Sequence, residues 1–311
     1  MTTIGSNTSA VLPLGHRTGC KPDAPAKRGL LALSHLILGD NPIFPPGASY
    51  EHLEGPILDQ NQTSSCCGHG TSQALQVATA KAGMPLPFRP SPRGIYDNGR
   101  VVELQPGEQL ADEGAEVIDI VATVAAKGVR ALVEPSPQGY ATDCDPSNVN
   151  VMPTAAELAA EKAHLEPGAY RIDTTAPTFI DQLCASIDQH GACVTGSFVD
   201  TAFEAYSPAT GPVTTVNLQD PNGGGHCLAV TSYRTVTAGS DDAVNFGIAV
   251  GKRIIRGPNS WGMWGDAGHY EVAEDVLVQS CSDCYGFEVS ACAGPSTSLL
   301  ERLLAAIRSA L

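Results

Sequence analysis

Between Gly68 and Gly83 the run GHGTSQALQVATAKAG keeps apolar side chains at Ala74, Leu75, Val77, Ala78 and Ala80, a spacing that predicts a helix stopped by Gly83. Cys66 and Cys67 then stand at its N-terminal end. Helical periodicity returns in DEGAEVIDIVATVAAKGV, PTAAELAAEKAHL and PTFIDQLCASIDQHG, whereas residues 84–110 are rich in Pro and turn formers and read as loop. After Gly191 the period shortens. The runs ACVTGSFV, GPVTTVNL, HCLAVTSYR, AVNFGIAV and RIIRGPNSW are β-rich and separated by Gly, Asp and Asn. Helices first and strands second predict an α+β protein of two lobes, helical over about 51–190 and antiparallel β over about 191–292. The expected site is the cleft between them.

Both ends differ from this body. Residues 1–50 are rich in Gly and Pro around one apolar element, RGLLALSHLIL, and predict an extended arm. Residues 293–311 predict a short amphipathic helix, with Ser298 as N-cap and Glu301 three residues on, suited to docking on the body or on a partner.

Charge narrows the choice of partner. Thirty-three acidic against eighteen basic residues give a formal charge of −15, which repels phosphate backbones and anionic lipid, so neither nucleic acid nor membrane is an expected partner. The start lacks a basic stretch followed by an apolar run, so a cytoplasmic or otherwise non-secreted location is expected. The ten cysteines are accordingly expected to be mostly reduced, with Cys184, Cys193 and Cys227 in apolar core contexts. Cys281 and Cys284 form a C-S-D-C pair without a second pair at zinc spacing, and no metal or cofactor is expected. His69, His164, His190 and His269 read as surface or structural residues.

A thiol at a helix N-terminus becomes a nucleophile when an imidazolium lowers its pKa. Attack on an amide also needs an oxyanion donor and a group that orients the imidazole. The stretch DQNQTSSCCGHG, the stretch DPNGGGHCLAV and the motif N-S-W-G-x-W-G-x-x-G-H-Y resemble, in that order, the three catalytic segments of the papain-like cysteine peptidases. That resemblance implies a papain-like two-lobe fold over 51–292, with a central helix in the first lobe and an antiparallel β-barrel-like second lobe, and a peptide or protein substrate. It implies Cys66 as nucleophile, His226 as its imidazole partner, Asn259 as the group orienting His226, and Trp261 as a cover over their bond and a wall for substrate. Gln60, six residues before Cys66, stands where the family's oxyanion glutamine stands, with Gln62 as rival. Thr63 replaces a cysteine that forms a disulfide in secreted members. The segment LADEGAEVIDIV resembles a part of bacterial members that brings a glycine to the cleft, making Gly114 a candidate substrate contact.

Three functions follow from these residues: a cysteine peptidase, a papain-fold binding or structural component with a vestigial or occluded site, and an amidase using the same thiol chemistry. The N-S-W-G-x-W-G motif favours the first. The arm stands where family members carry a prosegment across the cleft. Because it runs into the catalytic segment without an evident processing stretch, it is expected to pack away from Cys66 as a permanent part of the fold.

Overall fold

A computed structural model describes residues 11–27, 45–133, 142–161 and 168–289; RGLLALSHLIL and the expected helix at 293–311 lie outside these. The arm contributes β1 (Cys20–Lys21) and β2 (Gly47–Ser49), and the first lobe then begins with α1 (Cys66–Lys81). This helix is buried on nearly every side rather than on one face. Two glycines allow that. A Cβ at Gly68 would lie 2.3 Å from the Pro92 carbonyl oxygen, and one at Gly70 would lie 3.2 Å from the Cys227 sulfur.

The stretch expected to be loop contains α2 (Pro92–Glu103). Ser91 caps it, accepting from the Gly94 N–H, and Pro92 occupies the first turn, where its missing N–H is harmless. Gly94 and Gly99 weaken the intrinsic helix signal, but they let Arg130 and Ile120 pack where a side chain would stand, so tertiary contact overrides propensity. The next predicted helix begins later than its periodicity suggests, because Gly114 takes φ +85° and β3 (Ala115–Glu116) intervenes before α3 (Val117–Lys127). Then follow α4 (Ala155–Glu161), β4 (Gly168–Ile172) and α5 (Phe179–His190), the last closed by a left-handed Gly191.

The remaining elements are β5 (Cys193–Val199), α6 (Thr201–Glu204), β6 (Gly224–Val230), β7 (Ser232–Thr235), α7 (Asp241–Val244), β8 (Arg253–Pro258), β9 (His269–Ala273), α8 (Glu274–Ser280) and β10 (Cys281–Glu288). They form two four-stranded antiparallel sheets, ordered β4-β10-β5-β6 and β2-β7-β8-β9, in place of one closed barrel among the described residues. The β lobe therefore recruits β4, ahead of the boundary expected near 190. Thr231 turns the chain from one sheet into the other, and its N–H donates to the Arg256 carbonyl at 3.1 Å.

Two β-rich runs are not strands. GPVTTVNL makes only a bridge from Val213 to Val272, since the Asn217 N–H is taken by the Asp200 carboxylate at 2.7 Å. AVNFGIAV folds as the end of α7 and a loop. Its Ile248 and Phe246 pack on Val236 and Ile254 instead of pairing in a sheet.

One apolar core surrounds α1; a second packs α5 residues Phe179, Leu183 and Ile187 against Leu228, Val230, Ile255 and Tyr270. Among the described residues no helix is long and apolar enough to cross a membrane. Ile255 is fully buried in the second core. Ile255→Ala is expected to lower stability by about 2–5 kcal/mol through lost transfer energy and a residual cavity. Urea titration checks this: the midpoint falls while the slope stays constant.

Candidate active site

The polar run before α1 is wired to the body. Ser64 N–H donates to both carboxylate oxygens of Asp112 at 2.9 and 3.0 Å, and Thr63 Oγ1 donates to the Gln60 carbonyl at 2.6 Å. Ser65 Oγ lies 2.6 Å from Thr63 Oγ1 and 3.1 Å from His69 Nδ1, while His69 Nε2 meets Thr142 Oγ1 at 2.8 Å. Burial holds the His69 pKa down at about 4, so His69 is a neutral structural residue. These bonds fix the loop that presents Cys66 as the first residue of α1.

His226 sits on β6 opposite Ser197 of β5, with Nε2 2.8 Å from Asn259 Oδ1. Asn259 is held in turn by its N–H bond to the Gly268 carbonyl at 2.8 Å. The Trp261 ring stacks over His226 at 4.7 Å between centroids and 29° between planes. His226 Nδ1 is buried and has no hydrogen-bond partner. The backbone N–H of Cys227, the next residue, reaches the Cys66 sulfur. His226, Asn259 and Trp261 are thus in direct contact, and Cys66 lies against the residue that follows His226.

Of the two glutamines, Gln60 is the one inside. Its Nε2 donates to the Thr63 carbonyl at 2.8 Å and to the Arg17 carbonyl at 3.1 Å, and its Oε1 accepts from Ser260 Oγ at 2.5 Å. Gln62 is exposed and donates to the Gly15 carbonyl at 3.2 Å. Ser260 was not singled out by sequence, although it lies between two residues that were.

The arm does not pack away from Cys66, contrary to expectation: residues 16–21 cross the cleft. His16 stacks on the Trp261 ring at 4.5 Å and 8°, and its Nδ1 lies 3.0 Å from the buried Glu204 carboxylate. The Arg17 carbonyl accepts from Gln60 Nε2 and from Trp261 Nε1, the latter at 3.3 Å. Gly19 donates to the Gly225 carbonyl at 2.9 Å and accepts from the Ala115 N–H at 3.0 Å, so β1 pairs in parallel with β3.

Gly114 lies directly under this crossing. A Cβ there would be 1.9 Å from the Gly19 oxygen, and a Cβ at Gly225 would be 1.9 Å from the Cys20 oxygen. Further along, Asp23 accepts from Ile118 N–H at 3.0 Å and from Tyr285 Oη, and its own N–H donates to Asp283 at 3.1 Å. Lys27, only 1% exposed, pairs with Asp119 at 2.6 Å and Glu116 at 3.3 Å. No motif marks this segment, because most of its binding uses backbone groups that any residue carries.

Seating the arm sets the electrostatics. Cys66 and His226 are both fully buried. Burial pushes the Cys66 thiol up and the His226 imidazole down to about 4. Cys66 is therefore a neutral thiol and His226 a neutral imidazole, because desolvation disfavours both charged forms.

No family model and no curated protein matches the chain. Solved structures do. Xylellain, a cysteine protease from Xylella fastidiosa, superimposes with a TM-score of 0.57 at 18% identity, over 93% of this chain and 99% of that one. Procathepsin L 3 from the larval midgut of Tenebrio molitor gives 0.55 at 15% identity, over 85% and 77%. ProCathepsin B S9 from Trypanosoma congolense gives 0.56 at 12% identity, over 87% and 86%. A helical lobe and an antiparallel β lobe meeting at a buried cysteine, histidine and asparagine are thus assembled on the fold of the papain-like cysteine proteases.

Proposed function

We propose that the protein is a cysteine peptidase whose arm holds it latent. The observation that carries this reading is the His226 imidazole, bonded through Nε2 to Asn259 and left without a partner at Nδ1 beside a helix-terminal cysteine. Once the arm lifts, water and the N-terminus of α1 favour the charged forms again, and His226 Nδ1 takes the proton of the Cys66 thiol. The Cys66 sulfur then attacks a peptide carbonyl. Gln60 Nε2 donates to the developing oxyanion at the place the Arg17 carbonyl now fills. His226 gives its proton to the leaving amine, and water, deprotonated by the same nitrogen, hydrolyses the acyl-enzyme. Asn259 holds the ring in position throughout.

A second reading is a binding or structural component whose site is permanently occluded, favoured by the complete burial of Cys66 and His226. One comparison separates the two. A chain beginning at Pro45 keeps β2 and loses the crossing segment; as a latent peptidase it gains activity strongly over the full chain and reacts with an epoxide thiol inhibitor at Cys66 before any other cysteine. Retention of fold with no gain in either favours the occluded component. In the shortened chain, Gln60→Ala is expected to lower turnover by about 10²–10³ while leaving epoxide labelling largely intact, because the lost donor acts on the oxyanion.

The seat of the arm also has a defined pH dependence. His226, held down at about 4 when covered, takes a proton more readily in the open form, so falling pH below the ordinary histidine range of about 6.5 favours opening. Asp23 acts the other way. Burial and the nearby Asp283 charge raise its pKa, so its contribution to the seated form is present at low pH and lost as pH rises through the raised value. Below the ordinary histidine range the two effects oppose each other, so Asp23 blunts the rise in opening that His226 alone would give as pH falls. Asp23→Asn should make opening grow by about tenfold per unit as pH falls from about 6.5. Amide exchange at Gly19 and Ala115, corrected for intrinsic rate, reads this out, and an unchanged profile in Asp23→Asn refutes the assignment.

A further inference from the structure

Four cysteines from three parts of the chain share one apolar core: Cys20 on the arm, Cys66 and Cys67 on α1, and Cys227 on β6. Peptide hydrolysis uses Cys66 and leaves the other three unexplained. Cys67 is at their centre. Side-chain hydrogen bonding with Cys20, Cys227 and Cys66 lowers its pKa. Its own Sγ also lies 3.4 Å from the Ala115 carbonyl, and Ala115 is the residue directly across from Cys20 in the β1–β3 pairing. The strand that blocks the cleft therefore sets its thiol against the residue that follows the proposed nucleophile.

We propose that Cys20 and Cys67 are a thiol–disulfide exchange site, which reacts with a small disulfide of the glutathione type and closes to a bond that ties the arm across the cleft. While the arm is lifted the Cys67 thiol loses its proton and its sulfur attacks one sulfur of the small disulfide, whose S–S bond breaks and releases one thiol that carries that proton. Cys20, giving up its proton, then attacks the Cys67 sulfur of the mixed disulfide. The Cys20–Cys67 bond forms and the second small thiol leaves with that proton. Two protein thiols are oxidised and one small disulfide is reduced to two thiols. Excess small thiol reverses both steps.

The alternative pairings are less favourable. Adjacent residues of a helix point about 100° apart, so Cys66 and Cys67 cannot bridge without opening the first turn. Cys67 and Cys227 both belong to elements locked in the body, with the Cys227 sulfur wedged against Gly70. A disulfide requires the sulfurs to close from contact to about 2 Å, and the arm strand is the partner free to shift. Because all four cysteines are buried, exchange takes place as the chain folds or while the arm is lifted.

The bond itself is independent of the proposed peptidase activity; only its effect on Cys66 rests on that reading. The full chain is refolded in a glutathione redox buffer or in dithiothreitol, blocked at free thiols, digested, and mapped without reduction. The expected product in the oxidised sample is the arm peptide containing Cys20 joined to the peptide containing Cys66 and Cys67. The link should survive Cys66→Ser and vanish in Cys67→Ser, with Cys20→Ser as a second test should either α1 variant fail to fold. Alkylation of Cys66 in the oxidised full chain should fall by more than about tenfold and recover with reductant, since a tied arm no longer lifts; Cys20→Ser should show no such fall. Absence of the link, a Cys67–Cys227 link in its place, or persistence in Cys67→Ser overturns the proposal. If the link forms in the full chain but Cys66 is unreactive in the chain beginning at Pro45, the exchange site stands and the peptidase reading fails.

Discussion

The seat of Gly19 decides the state of the whole molecule. One hydrogen bond from its N–H to Gly225 and one to its carbonyl from Ala115 carry the arm over the junction of the lobes. Three backbones meet there with no room for side chains, which is why glycine stands at 19, 114 and 225: a Cβ at any of them would overlap a neighbouring main chain. Each bond is modest alone. Its effect is amplified because the strand it holds excludes water from Cys66 and His226, and exclusion of water keeps both neutral. A backbone contact thus sets the charge of two side chains that it does not ionise directly.

Charge complementarity acts beside this seat. The chain as a whole is strongly acidic, yet the crossing segment brings Arg17, Lys21 and Lys27 against a single acid, Asp23. Lys21 meets Glu103 at 3.6 Å in a partly exposed pair of the kind that contributes little. Lys27 differs because it is buried among Glu116 and Asp119, and Glu103 closes the same carboxylate group. Burial pushes the Asp119 carboxyl up to about 9, with its hydrogen bond to Glu103 acting in the same direction. Removing the ammonium would leave this group uncompensated in a poorly solvated place, where one lost partner is far more damaging than at a surface.

The candidate site segments were legible because they carry particular side chains at particular spacings. His226 meets Asn259 and Trp261, Gln60 meets Ser260 beside them, and Gln62, which spacing alone could not separate from Gln60, is exposed. The α+β order was legible from period. Other elements were less legible. α2 is hidden by Gly94 and Gly99, whose value lies in contacts with residues far along the chain. GPVTTVNL and AVNFGIAV have strand composition but spend their backbone groups on Asp200 and on a small cluster around Phe246. The arm's path was illegible for a deeper reason: most of its grip comes from main-chain bonds and from glycines elsewhere, so no pattern within residues 11–27 reports it.

The bonds of the site divide by who makes them. The His226–Asn259 bond, the Ser260–Gln60 bond and the Gln60 bond to the Thr63 carbonyl all join parts of the body. From the arm come the Arg17 carbonyl, on Gln60 and on the Trp261 indole, the His16 ring, on the outer face of Trp261, and the Gly19 N–H, on the Gly225 carbonyl. Departure of the arm therefore leaves the His226–Asn259 and Gln60–Ser260 bonds in place and frees the Gln60 and Trp261 donors along with the Gly225 carbonyl. An amide N–H and an indole N–H without partners in a narrow cleft are a favourable seat for a carbonyl oxygen and a poor one for an apolar group. The Gln60 and Trp261 donors hold the Arg17 carbonyl, so strengthening either also strengthens the hold on the arm. The rest of the grip, at Gly19, Asp23 and Lys27, uses groups other than Gln60.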